Sequence, residues 1–215
     1  MSFNLDEPAI YLITSGEATP ANFVQTSRQI LDIVRVAVDE NVSLVQLREK
    51  RLPARLVFEL AVKLAEITHG TSTRLLVNDR ADIAVAAKAD GVHLTASSLS
   101  TKIIRTSFPS DLVVGVSTHT IDAARTAAEQ GADFAVFAPV FETPGKGEPQ
   151  GLGRLSNICS ELRPFPVIAL GGVDETNYRV VIEAGASGFA AIRSLTNPRK
   201  LRAVARDLRN HRNEK

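Results

Sequence analysis

Val45-Gln46-Leu47-Arg48-Glu49-Lys50 is an apolar run of strand length that breaks off in an alternating charged triplet. Residues two apart on a strand project to the same side, so Gln46, Arg48 and Lys50 share a face. Two cations at the mouth of a buried strand suit an anionic or phosphorylated ligand, because Arg grips two oxygens and Lys adds a point charge. A plainer reading makes the triplet a solvated strand end with Glu49 as its internal partner. The choice between them depends on what the rest of the chain places beside this strand.

Working outward, apolar runs at 10–14, 44–47, 74–77, 91–94, 112–116, 134–137, 167–170 and 188–192 read as strands. Segments of helical periodicity lie between them at 23–40, from Pro53 onward, and at 81–88, 121–130, 155–163, 175–184 and 198–210. The first carries Ile30, Ile33, Val34 and Ala37 at i, i+3, i+4, i+7 spacing, and the second presents Leu56, Leu60, Val62 and Leu64 after a proline whose fixed φ suits a first helical turn. Gly131-Ala132-Asp133, Gly185-Ala186-Ser187 and Lys88-Ala89-Asp90 each stand where a helix must stop and turn into a strand. The alternation is counted as eight strand and helix pairs, with no bounds assigned to a helix between the fourth and fifth strands. This repeat predicts an α/β protein, a single (β/α)8 TIM barrel, over an open doubly wound sheet, where fewer strands and a glycine-rich first turn are expected. It is read as one domain over residues 1–215. The one long loop, 142–153, holds four glycines and two prolines, a composition and length usual for functional or mobile loops.

Composition narrows the function. With 44% hydrophobic and 23% charged residues the chain has a sizeable core, and no apolar run reaches membrane-spanning length. Residues 1–8 are polar and acidic, unlike a signal peptide, which predicts a cytoplasmic protein and no membrane partner. A formal charge of +1 and 5% aromatic residues give neither the field nor the stacking surface of a nucleic-acid binder. The cationic stretch 199–215 reads as an amphipathic helix, and the single cysteine, Cys159, as buried and inert. His69 and His211 read as surface positions at helix ends, and no residue spacing resembles a zinc site. Oligomeric state is not legible.

Barrel enzymes build their sites at the C-terminal ends of the strands. Here those ends supply Arg48 and Lys50, Asn78 and Asp79, His93, Ser117 and His119, Thr143 and Lys146, Gly171 and Gly172, and Arg193. Four cations against one carboxylate suit one or two phosphate groups, with Asp79 placed to take the Mg2+ that a diphosphate brings. Successive glycines after the seventh strand let backbone N–H groups approach a phosphate closely. His93 reads either as part of the site or as a hydrogen-bonded core residue.

With these motifs laid out, the chain resembles the thiamine phosphate synthase family, including its thiazole tautomerase branch. The matching stretches are Tyr11-Leu12-Ile13-Thr14, Val45 to Lys50, Leu76-Val77-Asn78-Asp79-Arg80, Ala89-Asp90-Gly91-Val92-His93-Leu94, Gly115-Val116-Ser117-Thr118-His119-Thr120, Pro139-Val140-Phe141-Glu142-Thr143 with Lys146, and Val167-Ile168-Ala169-Leu170-Gly171-Gly172-Val173. The resemblance implies a (β/α)8 barrel and, for the synthases, a transferase that couples hydroxymethylpyrimidine diphosphate to thiazole phosphate and releases diphosphate. By that likeness Gln46, Arg48, Lys50 and Asn78 hold the pyrimidine and its diphosphate, Asp79 ligates Mg2+, and Ser117 and Lys146 contact the leaving group. Thr143 adds a hydroxyl, and the thiazole phosphate rests on Gly171, Gly172 and the end of strand eight, Ile192 and Arg193. Arg48, Lys50 and Lys146 are the catalytic candidates.

The pattern departs from the family at four places. Thr95-Ala96-Ser97-Ser98 stands where synthases carry Gly-Gln-x-Asp, whose Asp is a second metal ligand. Thr143-Pro144-Gly145-Lys146 lacks one hydroxyl of Thr-x-Thr-Lys, Arg193 replaces a phosphate-binding serine, and Pro139 replaces the tautomerase histidine. The leading expectation is a synthase-like enzyme. The alternatives are tautomerase-like or divergent chemistry on a thiazole phosphate, with Arg193 as the phosphate contact, and a non-catalytic thiamine phosphate-binding protein.

Overall fold

The structure, a computed structural model, describes Leu5 and residues 8–213, the side chains of 211–213 excepted. Helices and strands alternate in the order β1 (Ala9–Ile13), α1 (Phe23–Asp39), β2 (Leu44–Leu47), α2 (Ala54–Thr68), β3 (Arg74–Asn78), α3 (Ala81–Ala86), β4 (Gly91–Leu94) and α4 (Thr101–Ser107). They continue as β5 (Val113–Thr118), α5 (Ile121–Glu129), β6 (Phe134–Phe137), α6 (Gly151–Glu161), β7 (Val167–Ala169), α7 (Tyr178–Glu183), β8 (Gly188–Ala191) and α8 (Pro198–Asn213). All eight strands are parallel, and β8 pairs with β1 to close the barrel. The expected (β/α)8 architecture is the observed one.

Four details differ from the sequence-based reading. α4, counted in the repeat but without bounds, is started by Ser100, whose side chain accepts from the Ile103 amide. α6 begins at Gly151, so it absorbs the end of the long loop, while Pro53 sits one residue ahead of α2 as its N-cap. In α2 the buried stripe is Leu56, Leu60, Ala61, Leu64 and Ala65, and Val62 is only half-buried.

Alternation along each strand sends one set of side chains to the barrel axis and the other to the helices. Ala9, Tyr11, Ile13, Leu44, Leu76, Phe134, Val136, Ile168 and Ala190 fill the axis. Leu12, Val45, Leu47, Val77, Val92, Ala135 and Phe189 face outward into the larger core with the helices. Phe134 reaches across the axis because β5 offers Gly115 there: a Cβ at Gly115 would lie 2.3 Å from the Phe134 Cζ. The helix stops repeat one device. Asn41, Lys88, Gly131 and Gly185 all take positive φ, and the residue after each donates its amide five residues back. Asp90 and Asp133 then cap neighbouring strands by accepting from the Leu75 and Val114 amides. Cys159 is buried, and burial pushes its thiol up to about 11, which leaves it protonated and inert. His69 is exposed at the end of α2; the side chain of His211 lies outside the described residues. No helix among the described residues is long and apolar enough to cross a membrane.

Candidate active site

The charged triplet after β2 divides as a strand would divide it. Glu49, 4% exposed, turns away from the barrel mouth and accepts the amides of Gly16 at 3.0 Å and Ala18 at 2.8 Å. It pins the loop after β1, so it is neither solvated nor a partner for its cationic neighbours, and the plainer reading of the triplet fails. Arg48 donates its amide to Thr14 Oγ1 at 2.8 Å, and its guanidinium lies half-buried against Gly16. Lys50 is exposed; both Arg48 and Lys50 act electrostatically on His93, and Lys50 also acts on Asp79. Among the described residues, Arg48, Lys50, Lys146 and Arg193 form no ion pair, whereas Arg74, Arg105, Arg125, Lys200 and Arg209 all do.

Asp79 follows β3 in a left-handed conformation, φ 59°, which a short polar side chain tolerates. Its Oδ1 accepts from Thr95 Oγ1 at 2.9 Å, from the Thr95 amide at 3.3 Å, and from the Ser98 hydroxyl. Its Oδ2 accepts from Asn78 Nδ2 at 2.6 Å. Burial pushes this carboxyl up, but the hydrogen bonds from Ser98, Thr95 and Asn78 and the charge of Lys50 outweigh it and hold the group below the usual carboxylate range. Beside it Asn78 Oδ1 is buried without a hydrogen-bond partner. Asn78 belongs to β3 itself, opposite His93 of β4. Among the described residues no three His, Cys, Asp or Glu side chains gather as metal ligands. The oxygens at hand are one carboxylate, an orphaned amide oxygen and two hydroxyls. Such a set fits Mg2+ only in the manner where one carboxylate anchors it and substrate phosphates complete the shell.

Inside the barrel mouth runs a set of polar contacts that the strand-end list did not anticipate. Gln46, 1% exposed, donates from Nε2 to Tyr11 Oη at 2.9 Å. Tyr11 Oη lies 3.2 Å from His93 Nδ1, and His93 Nε2 lies 2.8 Å from Ser117 Oγ. Ser117 is part of β5 rather than of the loop after it. Tyr11 is a hydroxyl in an otherwise apolar strand, at an alternate position that faces the axis; that was the signal available in Ala9-Ile10-Tyr11-Leu12-Ile13.

On the far rim, the loop after β6 packs against the double glycine after β7. Gly171 and Gly172 both have positive φ, 95° and 65°. A Cβ at Gly171 would meet Pro139 Cα at 2.6 Å, and one at Gly172 would meet Phe141 Cβ at 2.6 Å. Among the described residues neither glycine amide donates to a backbone acceptor outside the regular elements, which leaves both free to meet a ligand. Thr143 is half-buried and donates its hydroxyl to the Phe141 carbonyl at 2.9 Å, so it braces its own loop. Lys146 is exposed in the turn that follows, and Arg193 is exposed at the end of β8. Ile192 packs its side chain on the axial core, leaving only its backbone for a ligand. His119 is exposed, with Nδ1 2.6 Å from the Ala138 carbonyl.

A family model described as thiamine monophosphate synthase matches residues 10–195, which take in all eight strands but for Ala9 and all these side chains. The chain belongs to the thiamine monophosphate synthase family. Relatives bear this out over most of their length. A thiamine-phosphate synthase of Methanoculleus marisnigri is 39% identical over 181 residues, 83% of this chain and 85% of the relative. Another, of Syntrophomonas wolfei, is 35% identical over 204 residues, 94% of each. Among solved structures, a thiamine phosphate pyrophosphorylase from Pyrococcus furiosus superimposes with a TM-score of 0.78 at 26% identity, covering 95% of this chain and 98% of that one. Within this family the barrel is the shared frame, and the rim residues above are what this chain places on it.

Proposed function

We propose that the chain is a thiamine-phosphate synthase, a transferase that joins hydroxymethylpyrimidine diphosphate to a thiazole phosphate and releases diphosphate. The observation that carries this reading is one barrel rim where Arg48, Lys50, Lys146 and Arg193 lack carboxylate partners among the described residues while Asp79 stays ionised on the same rim. Relatives of the same length named for that activity support it. Ionisation of an allylic-type diphosphate needs positive charge at the departing oxygens and a shaped, dry pocket. Arg48, Lys50 and Lys146 supply the charge, and Ser117 donates a hydrogen bond to the same group. Asn78 and Gln46 flank the pyrimidine, and the amides of Gly171 and Gly172 with Arg193 take the thiazole phosphate. Mg2+, held by Asp79 and the diphosphate, would neutralise charge on the departing oxygens. A cytoplasmic setting with small phosphorylated substrates belongs to the same reading.

The tautomerase-like alternative has nothing here to recommend it, since Pro139 offers no group to move a proton. The test is formation of thiamine phosphate from the two substrates with and without Mg2+, beside Asp79→Ala. Mg2+-dependent product that disappears in the variant is the expected result. Protein that binds thiamine phosphate yet forms none under any divalent cation would replace this reading with the non-catalytic one.

A further inference from the structure

The buried contacts from Gln46 to Ser117 form a chain whose direction can be worked out link by link. Gln46 Nε2 donates to Tyr11 Oη, occupying a lone pair of the phenol. Tyr11 is 0% exposed, so its single proton needs a buried acceptor, and the one within reach is His93 Nδ1. A neutral imidazole that accepts at Nδ1 carries its proton on Nε2. Because Gln46 Nε2 already donates to the phenol oxygen and the phenol has one proton to give, Nδ1 is the accepting nitrogen, and a ring that accepts there is neutral. The Nε2–H then points at Ser117 Oγ, 2.8 Å away, and takes up a lone pair there. What remains to Ser117 is its own O–H, which has no other acceptor among the described residues.

We propose that Tyr11 and His93 are positioning residues, which through this one-way chain hold the Ser117 hydroxyl as a donor aimed at the anion in the barrel mouth. A free hydroxyl can present either its proton or its lone pairs. Beside a departing diphosphate only the proton helps, and a donor fixed in advance needs no reorganisation when charge develops. No proton travels along the chain. The rings are also held against rotation, because Phe134 packs edge-on to Tyr11 with centroids 5.7 Å apart and His93 lies 5.8 Å from Tyr11. The identity of the anion rests on the synthase reading; the direction of the chain does not.

The chain holds four histidines, so protein labelled with 15N in histidine gives a simple spectrum, and through-space contacts to Tyr11 and Phe134 identify His93. The expected result in the unmodified protein is the Nε2–H tautomer, with a mixture of tautomers in Tyr11→Phe. The Nδ1–H tautomer in the unmodified protein, the pattern if the Gln46 amide is turned about, overturns the proposal. In turnover, Tyr11→Phe and Ser117→Ala are each expected to lower kcat about tenfold with KM for the pyrimidine diphosphate within about twofold, and the double variant to be no slower than Ser117→Ala. Losses that multiply instead mean that Tyr11 acts independently of Ser117, and sink the idea equally. Affinity for inorganic diphosphate with Mg2+ present gives the same comparison without turnover. A protein that forms no product therefore ends the synthase reading while the chain still stands or falls on the tautomer and on diphosphate binding.

Discussion

Ser98 places a hydroxyl on Asp79 Oδ1, at the position where the family likeness puts a second carboxylate. The Ser98 hydroxyl proton satisfies that oxygen, so Asp79 is stable there with a single negative charge. Mg2+ affinity follows ligand charge, and one carboxylate makes a site that binds the free ion weakly. Ser98→Asp is therefore expected to tighten Mg2+ about tenfold or more, because it restores a second charge next to Asp79. Calorimetric titration with Mg2+ alone checks this, and an unchanged affinity would mean that the cation does not sit between these positions. At this scale the sequence was legible where a residue's neighbours in the chain decide its role, as with Gly171 and Gly172 or the alternation that sets Arg48 and Lys50 apart from Glu49. It was not legible where the partner comes from across the barrel. Glu49 serves amides some 30 residues earlier in the chain, at Gly16 and Ala18, and Tyr11 meets His93 only because β1 and β4 face one axis.

Among the elements, the loop after β7 is tied to α8 through Glu175. Its carboxylate lies 2.5 Å from Lys200 Nζ and accepts from Ser194 Oγ at 2.7 Å. The Lys200 and Ser194 hydrogen bonds hold it down to about 2. A depressed carboxyl contributes stability that is complete above its ordinary value near 4.5 and is lost as pH falls toward 2. The group is mostly solvent-screened, so the contribution is small, roughly 1 kcal/mol or less. Urea unfolding at pH 6 and pH 3 should accordingly show a smaller acid loss in Glu175→Gln than in the unmodified protein; equal losses would place the acid sensitivity elsewhere. Element bounds repeat the lesson of the side chains. β2, β4 and β6 are bounded by strong turn signals and fall where the apolar runs put them. α4 is seven residues with two threonines and a serine, too short and too polar for periodicity to separate it from loop. The first turn of α6 contains Gly151 and Gly153, poor helix formers that tertiary packing overrides.

For the whole molecule, closure is the organising fact. β8 pairs with β1, and α8 lies over α1, where Arg202, Arg206 and Arg209 converge on the nearly buried Glu40. Arg209 also donates to the Glu40 carbonyl at 2.7 Å, satisfying the C-terminal end of α1. Glu40→Gln leaves three guanidiniums facing one another without a counter-charge. It is expected to cost about 1–2 kcal/mol, less than a fully buried pair because the arginines are partly exposed. A lower urea midpoint at unchanged slope would register it, and an unchanged midpoint would show the cluster to be decorative. The barrel was readable because eight repeats leave few topologies to choose from, while which helix locks the seam was not, since α1 and α8 stand at opposite ends of the repeat. That seam has a consequence for synthesis. As the chain leaves the ribosome, β1 has β2 on one side and nothing on the other until residues 188–191 emerge, and Glu40 waits still longer for Arg209. The nascent protein therefore carries an open sheet edge until β8 has been made, and its exposure to misassembly and to chaperones lasts until that strand pairs with β1.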